Sequence, residues 1–417
     1  MDYTVKEVLE FVEENDVKFI RLAFCDLLGT LKNISIMPSE LPRAFESGIS
    51  FDASAVKGMG EVKQSDLFLV PDPSTLSILP WRPQQGRVIR FYCDIKNPDG
   101  TNFECDSRNI LKRTIEKMNQ AGYGCNIGVE CEFYLFKMDE LGEPTEIPYD
   151  NGTYFDVAPL DKGENIRREI CLCLEEMGIK PETSHHEQGP GQNEIDFKFS
   201  DPMNTADNLL TFKNVVSMIA ERNGLYASFM PKPVAGKSGN GLHINLSLTQ
   251  DGVNLLDGVF EQTTLVNQFM AGILDKITES TLFLNTLPSS YHRLGEWEAP
   301  KYISWSKENR SQLIRIPAAM KEKKRFELRS PDPNINPYIA LALILEAGME
   351  GLKNQMVLSD AIDEDMNGVE IDKLPDIKKL PESLKDAILI SKDSTFVKNV
   401  IGEKVLNKFI GIKKEEL

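Results

Sequence analysis

Apolar residues recur at every second position in four separate stretches of the chain, and at helical spacing in the segments between them. The four are NIGVECEFYLFK, QNEIDFKF, NGLHINLSL and KRFELRS, each predicted as a strand with one apolar face. In the first, Val129, Cys131, Phe133 and Leu135 oppose Glu130 and Glu132. In the second, Ile195, Phe197 and Phe199 oppose Glu194, Asp196 and Lys198. In the third, Leu242, Ile244, Leu246 and Leu248 oppose His243, Asn245 and Ser247. In the fourth, Phe326 and Leu328 oppose Arg325, Glu327 and Arg329.

Helical spacing predicts helices over 164–177, 206–223, 263–277 and 337–352. The last has Asn336 as N-cap and Pro337 at its first position, and YIALALILEAGM is apolar nearly all round, so this helix is expected to be buried. Near the start, Thr4 and Glu7 form a capping box ahead of the stripe Val5, Val8, Leu9, Val12. KFIRLAFCDLLGTLKNISI predicts two strands around a turn at Leu28-Gly29, and GRVIRFYCDIKNPDGTNFECD a hairpin turning at Asn97-Pro98-Asp99-Gly100. Asp106 or Ser107 then caps a helix running to Met118. Residues 1–105 thus form a small α+β module and 106–417 a larger α+β domain, with a charged, peripheral helical tail after Asp360.

A length of 417 residues allows two or three domains and a large core. The net charge of −17 argues against nucleic-acid or anionic-membrane partners and makes a carboxylate-rich metal site worth seeking. Seven scattered cysteines with no CxxC are expected to be reduced thiols of a cytoplasmic protein. No signal peptide opens the chain, and no apolar run is long enough to span a membrane.

The polar strand faces carry the chemistry. A half-exposed antiparallel sheet accounts for any one of them. Together, however, they collect Glu130, Glu132, Glu194, His243 and Glu327, and Glu187 stands just before Glu194 across the Gly-Pro-Gly turn of SHHEQGPGQNE. Five glutamates and one histidine suffice for two hard-cation sites, with oxygen donors suited to Mg²⁺ or Mn²⁺. Arg325 and Arg329, with Arg310 and Arg315 of NRSQLIRIP, add guanidinium forks that match phosphate. Two metals and an arginine cluster are equipment for phosphoryl transfer, although no P-loop or kinase signature is present.

These segments, with FIRLAFCDLLGTLKN, FDASAVKGM, SDLFLVPD, FMPKPVAGKSGNGLH, SSYHRL and EAPKYISWSKENRSQLIRIP, resemble the glutamine synthetases of the bacterial and archaeal dodecameric type, in the family's order over about residues 15–352. The resemblance implies a β-grasp-like N-terminal domain and a catalytic domain with a curved antiparallel sheet flanked by helices. It implies one metal on Glu132, Glu187 and Glu194 and another on Glu130, His243 and Glu327. ATP would meet Glu182, Asn245, Ser247, Arg310, Arg315 and Arg325. Glutamate would meet Arg293, Arg329 and Gly239. Glu298, in a flap, would close the pocket and take a proton from ammonium. Asp52 of a neighbouring subunit would help bind that ammonium, with Tyr154 nearby. His185 and His186 are kept out of the ligand sets as neighbours that orient Glu187. The implied assembly is a cytoplasmic dodecamer of two hexameric rings.

The chain departs from the family pattern at Ala53 and Ala55, where the family has Gly and Ser, and at Ser238-Gly239-Asn240-Gly241, where it has Asn-Gly-Ser-Gly. Its flap, RLGEWEAP, is one residue shorter, and no adenylylation tyrosine stands around VEIDKLPDIKKLPESL. Ligation of ammonia to L-glutamate is the implied activity. The departures leave open a γ-glutamyl-amine ligase, and beside it a non-catalytic synthetase-like oligomer.

Overall fold

The computed structural model describes residues 3–60, 63, 65–82, 85–257, 260–319, 323–366 and 377–417. Among these, two sheets organise the chain. The N-terminal helix α1 (Val5–Glu14) carries the anticipated Thr4–Glu7 capping box and buries Val8 and Val12. The first sheet contains β1 (Val17–Cys25), β2 (Leu31–Ile36), β3 (Ile49–Asp52), β4 (Asp66–Pro71), β5 (Ser77–Ile78) and β6 (Arg87–Lys96), with α2 (Leu41–Ser47) crossing it. Its order is β2-β1-β6-β4-β3, with β5 also on β6; β1 and β6 run parallel. This is the small N-terminal α+β module that the sequence predicts.

The predicted hairpin after β6 is reduced to its turn. Asn97 N–H donates to Thr101 C=O (2.8 Å) and Gly100 N–H to Asn97 C=O (2.9 Å), but only a single bridge, Lys96 to Asn102, follows. The chain is drawn off by α3 (Ser107–Gln120), whose N-cap Asp106 accepts from Arg108 N–H.

The second, curved sheet has the order β14-β15-β16-β12-β7-β10-β9, with β8 and β11 also on β7 and β13 on β12. The strands are β7 (Gly124–Met138), β8 (Pro144–Pro148), β9 (Pro181–His186), β10 (Gln192–Ser200), β11 (Leu225–Ser228), β12 (Leu242–Gln250), β13 (Val253–Asn254), β14 (Trp305–Lys307), β15 (Ile314–Ile316) and β16 (Phe326–Leu328). β16 is shorter than the seven residues its alternation suggested, and it pairs only through Phe326–Leu328. Helices α4 (Glu164–Glu176), α5 (Pro202–Arg222), α6 (Phe260–Leu284), α7 (Pro288–Arg293) and α8 (Pro337–Lys353) flank this sheet. α8 is buried almost throughout, as its all-round apolarity required.

The C-terminal segment is not peripheral. Helices α9 (Leu384–Asp393), α10 (Thr395–Ile401) and α11 (Glu403–Lys414) contribute Phe396, Val397, Ile401, Leu406 and Phe409 to the same apolar core that runs through both sheets. Their charged outer faces hide a buried stripe at helical spacing. The first half of the stretch VEIDKLPDIKKLPESL, residues 369–376, lies outside the described residues.

All seven cysteines are free, and all but Cys171 are buried. No helix among the described residues is long and apolar enough to cross a membrane.

Candidate active site

Strand register assembles the polar face. β7 sits between β10 and β12, so Glu132 lies beside Glu194, and Glu130 lies between Asp196 and His243. One row further along, Asn245 pairs with Gly128 on one side and Glu327 on the other, and Glu327 pairs with Arg315. Alternation had put these residues on one face of each strand, and register aligns those faces. The opposite faces, with Val129, Cys131, Ile195, Ile244 and Leu328, are sealed in the core.

Two groups of donors result. Glu130, His243 and Glu327 bring one ligand atom each to within 4.8 Å of one another. His243 Nδ1 lies 3.3 Å from Glu130 Oε2 and 3.5 Å from Glu327 Oε1. Glu132 and Glu194 group with His243, whereas Glu187 groups with Glu194 and His185. His185, kept out of the ligand sets on sequence, thus points at the carboxylates, its Nε2 3.3 Å from Glu194. His186 turns the other way: its Nδ1 lies 2.6 Å from the Glu187 carbonyl oxygen and its Nε2 2.8 Å from Asp150 Oδ1, in a buried network.

Around Glu187, Glu194 and Asp196, burial and like charge outweigh the nearby positive groups. Burial, then the Glu132 charge, pushes Glu187 up to about 8. Burial, then Asp196 and Glu132, pushes Glu194 well above the usual range, and burial with Glu130 pushes Asp196 up to about 7. Glu130 differs: burial opposes its ionisation, but hydrogen bonds and charge from His243, Asn245 and Arg325 hold it down at about 2. Buried carboxyls that retain protons near neutrality are groups a hard divalent cation can deprotonate and bind. The donor set therefore fits a metal-binding cluster.

A cavity of about 430 Å³ opens onto these groups. It is lined by Glu130, Glu132, Glu187, Glu194 and His243, by Arg310 and Arg329, and by Tyr154, Gly239, Arg293 and Glu298. Gly239 has to be glycine, because a Cβ there would meet the Pro231 carbonyl at 2.3 Å. Arg293 donates Nη1 to Ser330 C=O (2.8 Å) and Nη2 to Arg329 C=O (3.2 Å), so it braces the backbone carrying Arg329. Glu298 Oε2 lies 3.7 Å from Arg329 Nη2. Ser238 also lines the cavity, whereas the Asn240 amide is used up in the wall, donating to the Ser228 and Met230 carbonyls.

A second cavity, about 490 Å³, lies across Glu130 and is lined by Glu182, Asn245, Ser247, Lys323, Arg325 and Phe199. Arg325 Nε donates to Asn245 Oδ1 (2.8 Å). Arg315 lines neither cavity; it pairs with buried Glu327 at 2.9 Å. Asp52 also lines neither. It ends β3 in the other sheet, exposed, with Oδ1 accepting from Ser54 N–H at 2.8 Å.

Sequence reasoning missed three aromatic residues. A register shift between Phe197 and Ser200 turns Phe199 from the core face to the open one. Phe155 and Trp297 line the first cavity with φ of 61° and 55°, a conformation no period predicts.

An enzyme with acidic metal donors, arginines and two contiguous cavities on one sheet face is equipped to bring two anions together. Comparison with known proteins makes the class specific. A family model for the glutamine synthetase catalytic domain matches residues 104–417, and one for the glutamine synthetase beta-Grasp domain matches residues 16–98. Glutamine synthetase of Methanosarcina mazei is 46% identical over 424 residues, 99% of this chain and 94% of that protein. The enzyme of Clostridium saccharobutylicum is 44% identical over 420 residues, 99% and 95% respectively. Among solved structures, the ADP complex of GmaS superposes with TM-score 0.89 at 29% identity, covering 100% of this chain and 96% of that one. The Plasmodium falciparum glutamine synthetase gives 0.86 at 25%, covering 99% and 96%. The chain belongs to the glutamine synthetase family and is an ATP-dependent ligase.

Proposed function

We propose that this ligase joins ammonia to L-glutamate, giving L-glutamine, ADP and phosphate through γ-glutamyl phosphate. The observation that carries this reading is the register that gathers Glu130, Glu132, Glu194, His243 and Glu327 on one face, with Arg325 and Arg329 at its edge. The glutamine synthetases related over 99% of the chain support it.

Glu132, Glu187 and Glu194 would hold one Mg²⁺ or Mn²⁺, and Glu130, His243 and Glu327 a second; when bound, such ions screen the charge of ATP and of the substrate carboxylate. His185 sits where it can join the first set. Glu182, Asn245, Ser247 and Arg325 line the ATP cavity, where the Phe199 ring offers a face for the base. Arg310 faces the transferring phosphoryl group from the first cavity, and Arg315 acts from behind by holding Glu327. Arg329 and the Gly239 backbone hold glutamate, and Arg293 fixes the backbone beneath. The γ-carboxylate attacks the γ-phosphoryl group and ADP leaves. Ammonium, drawn to Glu187, Glu298 and a neighbouring subunit's Asp52 beside Tyr154, loses a proton to Glu298. Ammonia then attacks the acyl carbon, phosphate leaves, and the nitrogen sheds one further proton to give the amide. The flap around Glu298 excludes water from the acyl phosphate. A dodecamer of two hexameric cytoplasmic rings, and a domain boundary between residues 105 and 106, belong to the same reading.

A second reading, a γ-glutamyl-amine ligase, is favoured by one observation: Tyr154, Phe155 and Trp297 give the cavity an apolar wall that a bare ammonium ion does not need. Phosphate release with ATP, Mg²⁺ and L-glutamate, comparing ammonium with a panel of alkylamines and polyamines, tests both. Ammonium is expected to be the preferred acceptor. Turnover confined to organic amines would replace the first reading with the second.

A further inference from the structure

Away from the catalytic face, positive charge is concentrated where the first sheet meets the helices of the second. Arg21 on β1 and Arg90 on β6 are direct partners in the parallel ladder. Like charges side by side on a sheet repel, and an acidic protein has ample carboxylates with which to relieve them. None does so here: among the described residues, neither Arg21, Arg90 nor the nearby Arg82 has an ion-pair partner. Burial and the Arg82 charge together push the Arg21 pKa down. The Nε atoms of both Arg21 and Arg90 are buried without an acceptor. Arg90 is otherwise fixed, with Nη1 donating to Thr211 Oγ1 (2.9 Å) and its guanidinium 3.9 Å from the Tyr92 ring centroid.

Both arginines border a small cavity of about 110 Å³, shared with Asn33, Trp81, Thr211 and Asn214. The Nε edge of a guanidinium is half of the fork that grips a carboxylate or phosphate with two parallel hydrogen bonds. Buried donors that lack acceptors are uncommon in folded proteins and call for an explanation, a bound ion being one; here the two orphaned Nε atoms belong to adjacent arginines with no carboxylate partner. We propose that the Arg21–Arg90 cavity is a binding site for a small anion, a carboxylate or phosphate group, distinct from the ATP and glutamate cavities. Its size suits one phosphate or a short carboxylate and excludes a nucleotide. Asn33, Thr211 and Asn214 supply further hydrogen-bonding groups, and Trp81 closes one wall. Because β1, β2 and β6 provide one side and α5 the other, the anion bridges the β-grasp domain to the catalytic domain.

Calorimetric titration of the intact enzyme tests this, at constant ionic strength and with a non-hydrolysable ATP analogue and glutamate saturating, so that the catalytic cavities, the γ-phosphoryl position included, are filled. Inorganic phosphate and succinate are the two probes. One of them is expected to bind saturably, and the preferred probe identifies phosphate or carboxylate as the natural chemistry. Arg21→Gln and Arg90→Gln are each expected to weaken that binding by roughly tenfold or more, with KM for ATP and glutamate unchanged. No binding of either probe, or unchanged binding in both variants, overturns the proposal. Should the variants fail to fold, wild-type crystals soaked in selenate decide it: an anomalous peak between Arg21 and Arg90 supports the site, and its absence overturns it.

Discussion

Glu327 is the most tightly held of the candidate metal ligands. It is buried, with Arg315 Nη1 at 2.9 Å, Arg329 Nη1 at 2.5 Å and His243 Nδ1 at 3.5 Å. Burial opposes its ionisation, but the charges of Arg329, His243 and Arg315 prevail, and the Glu327 pKa is lowered. Glu327→Gln retains the shape and one acceptor while removing the charge a cation needs. Phosphate release is expected to fall on the order of 100-fold or more, with the elution volume of the oligomer unchanged. Near-normal turnover would remove Glu327 from the metal site. The Asp150–His186 pair makes a different prediction. Burial opposes ionisation of both, but their mutual hydrogen bond prevails, lowering Asp150 to about 2 and raising His186. The carboxylate's contribution to stability is present above the ordinary carboxylate pKa and lost as pH falls toward 2. The imidazolium's contribution is full below the ordinary histidine pKa and lost as pH rises through its raised value. Asp150→Asn should therefore destabilise by about 1–3 kcal/mol near pH 5.5 and by less at pH 9, read from urea unfolding at both. An equal loss at the two pH values would contradict the charged pairing. At this scale, alternation placed Glu130, Glu132, Glu194, His243 and Glu327 on polar strand faces, and only the four strands taken together made them a candidate site. Phe199 was not legible in the sequence, because a single bulge reverses the parity on which alternation depends.

Elements were legible where one local rule dominated. α8 was readable from Asn336, Pro337 and its apolar run, and α3 from Asp106. The C-terminal helices were misjudged because net charge was weighed above the period of Phe396, Val400, Leu406 and Phe409. β16 fell short because strand length depends on its neighbours, and β15 offers only three residues to pair with. The fit of α6 against α8 lies beyond any single-helix pattern. Gly272 and Gly351 let the two backbones approach: a Cβ at Gly272 would meet the Ala347 carbonyl oxygen at 2.2 Å, and one at Gly351 the Gln268 carbonyl oxygen at 2.1 Å. Both contacts are to helical backbone, which cannot swing aside as a side chain can. Gly272→Ala gains helix propensity yet should lose about 1–3 kcal/mol through overpacking, seen as a lower Tm. An unchanged or raised Tm would mean that the helices can separate without cost.

At the scale of the whole molecule, the proposed acceptor site draws on two chains. Every other proposed acceptor-site residue, Glu187, Glu298 and Tyr154, lines the catalytic cavity, but Asp52 ends an edge strand of the β-grasp sheet and faces outward. Its strand partner is Asp66, so two carboxylates stand directly across from one another where a positive partner would be welcome. A closed ring in which each β-grasp domain docks on the next catalytic domain would supply Asp52 in trans, a heterologous interface. Mixed oligomers decide between this arrangement and a self-contained chain. Asp52→Ala and Glu327→Gln are each expected to inactivate a homogeneous oligomer. Co-expressed in equal amounts, chains of the two kinds will place an intact Asp52 beside an intact Glu327 at roughly a quarter of the sites, by random neighbours in a ring. Phosphate release near that fraction of wild type is therefore expected from the mixture, and none beyond background from either parent. If each site is built from one chain only, no combination of these two variants yields an intact site. A mixture as inactive as its parents would then place Asp52 outside the shared active site.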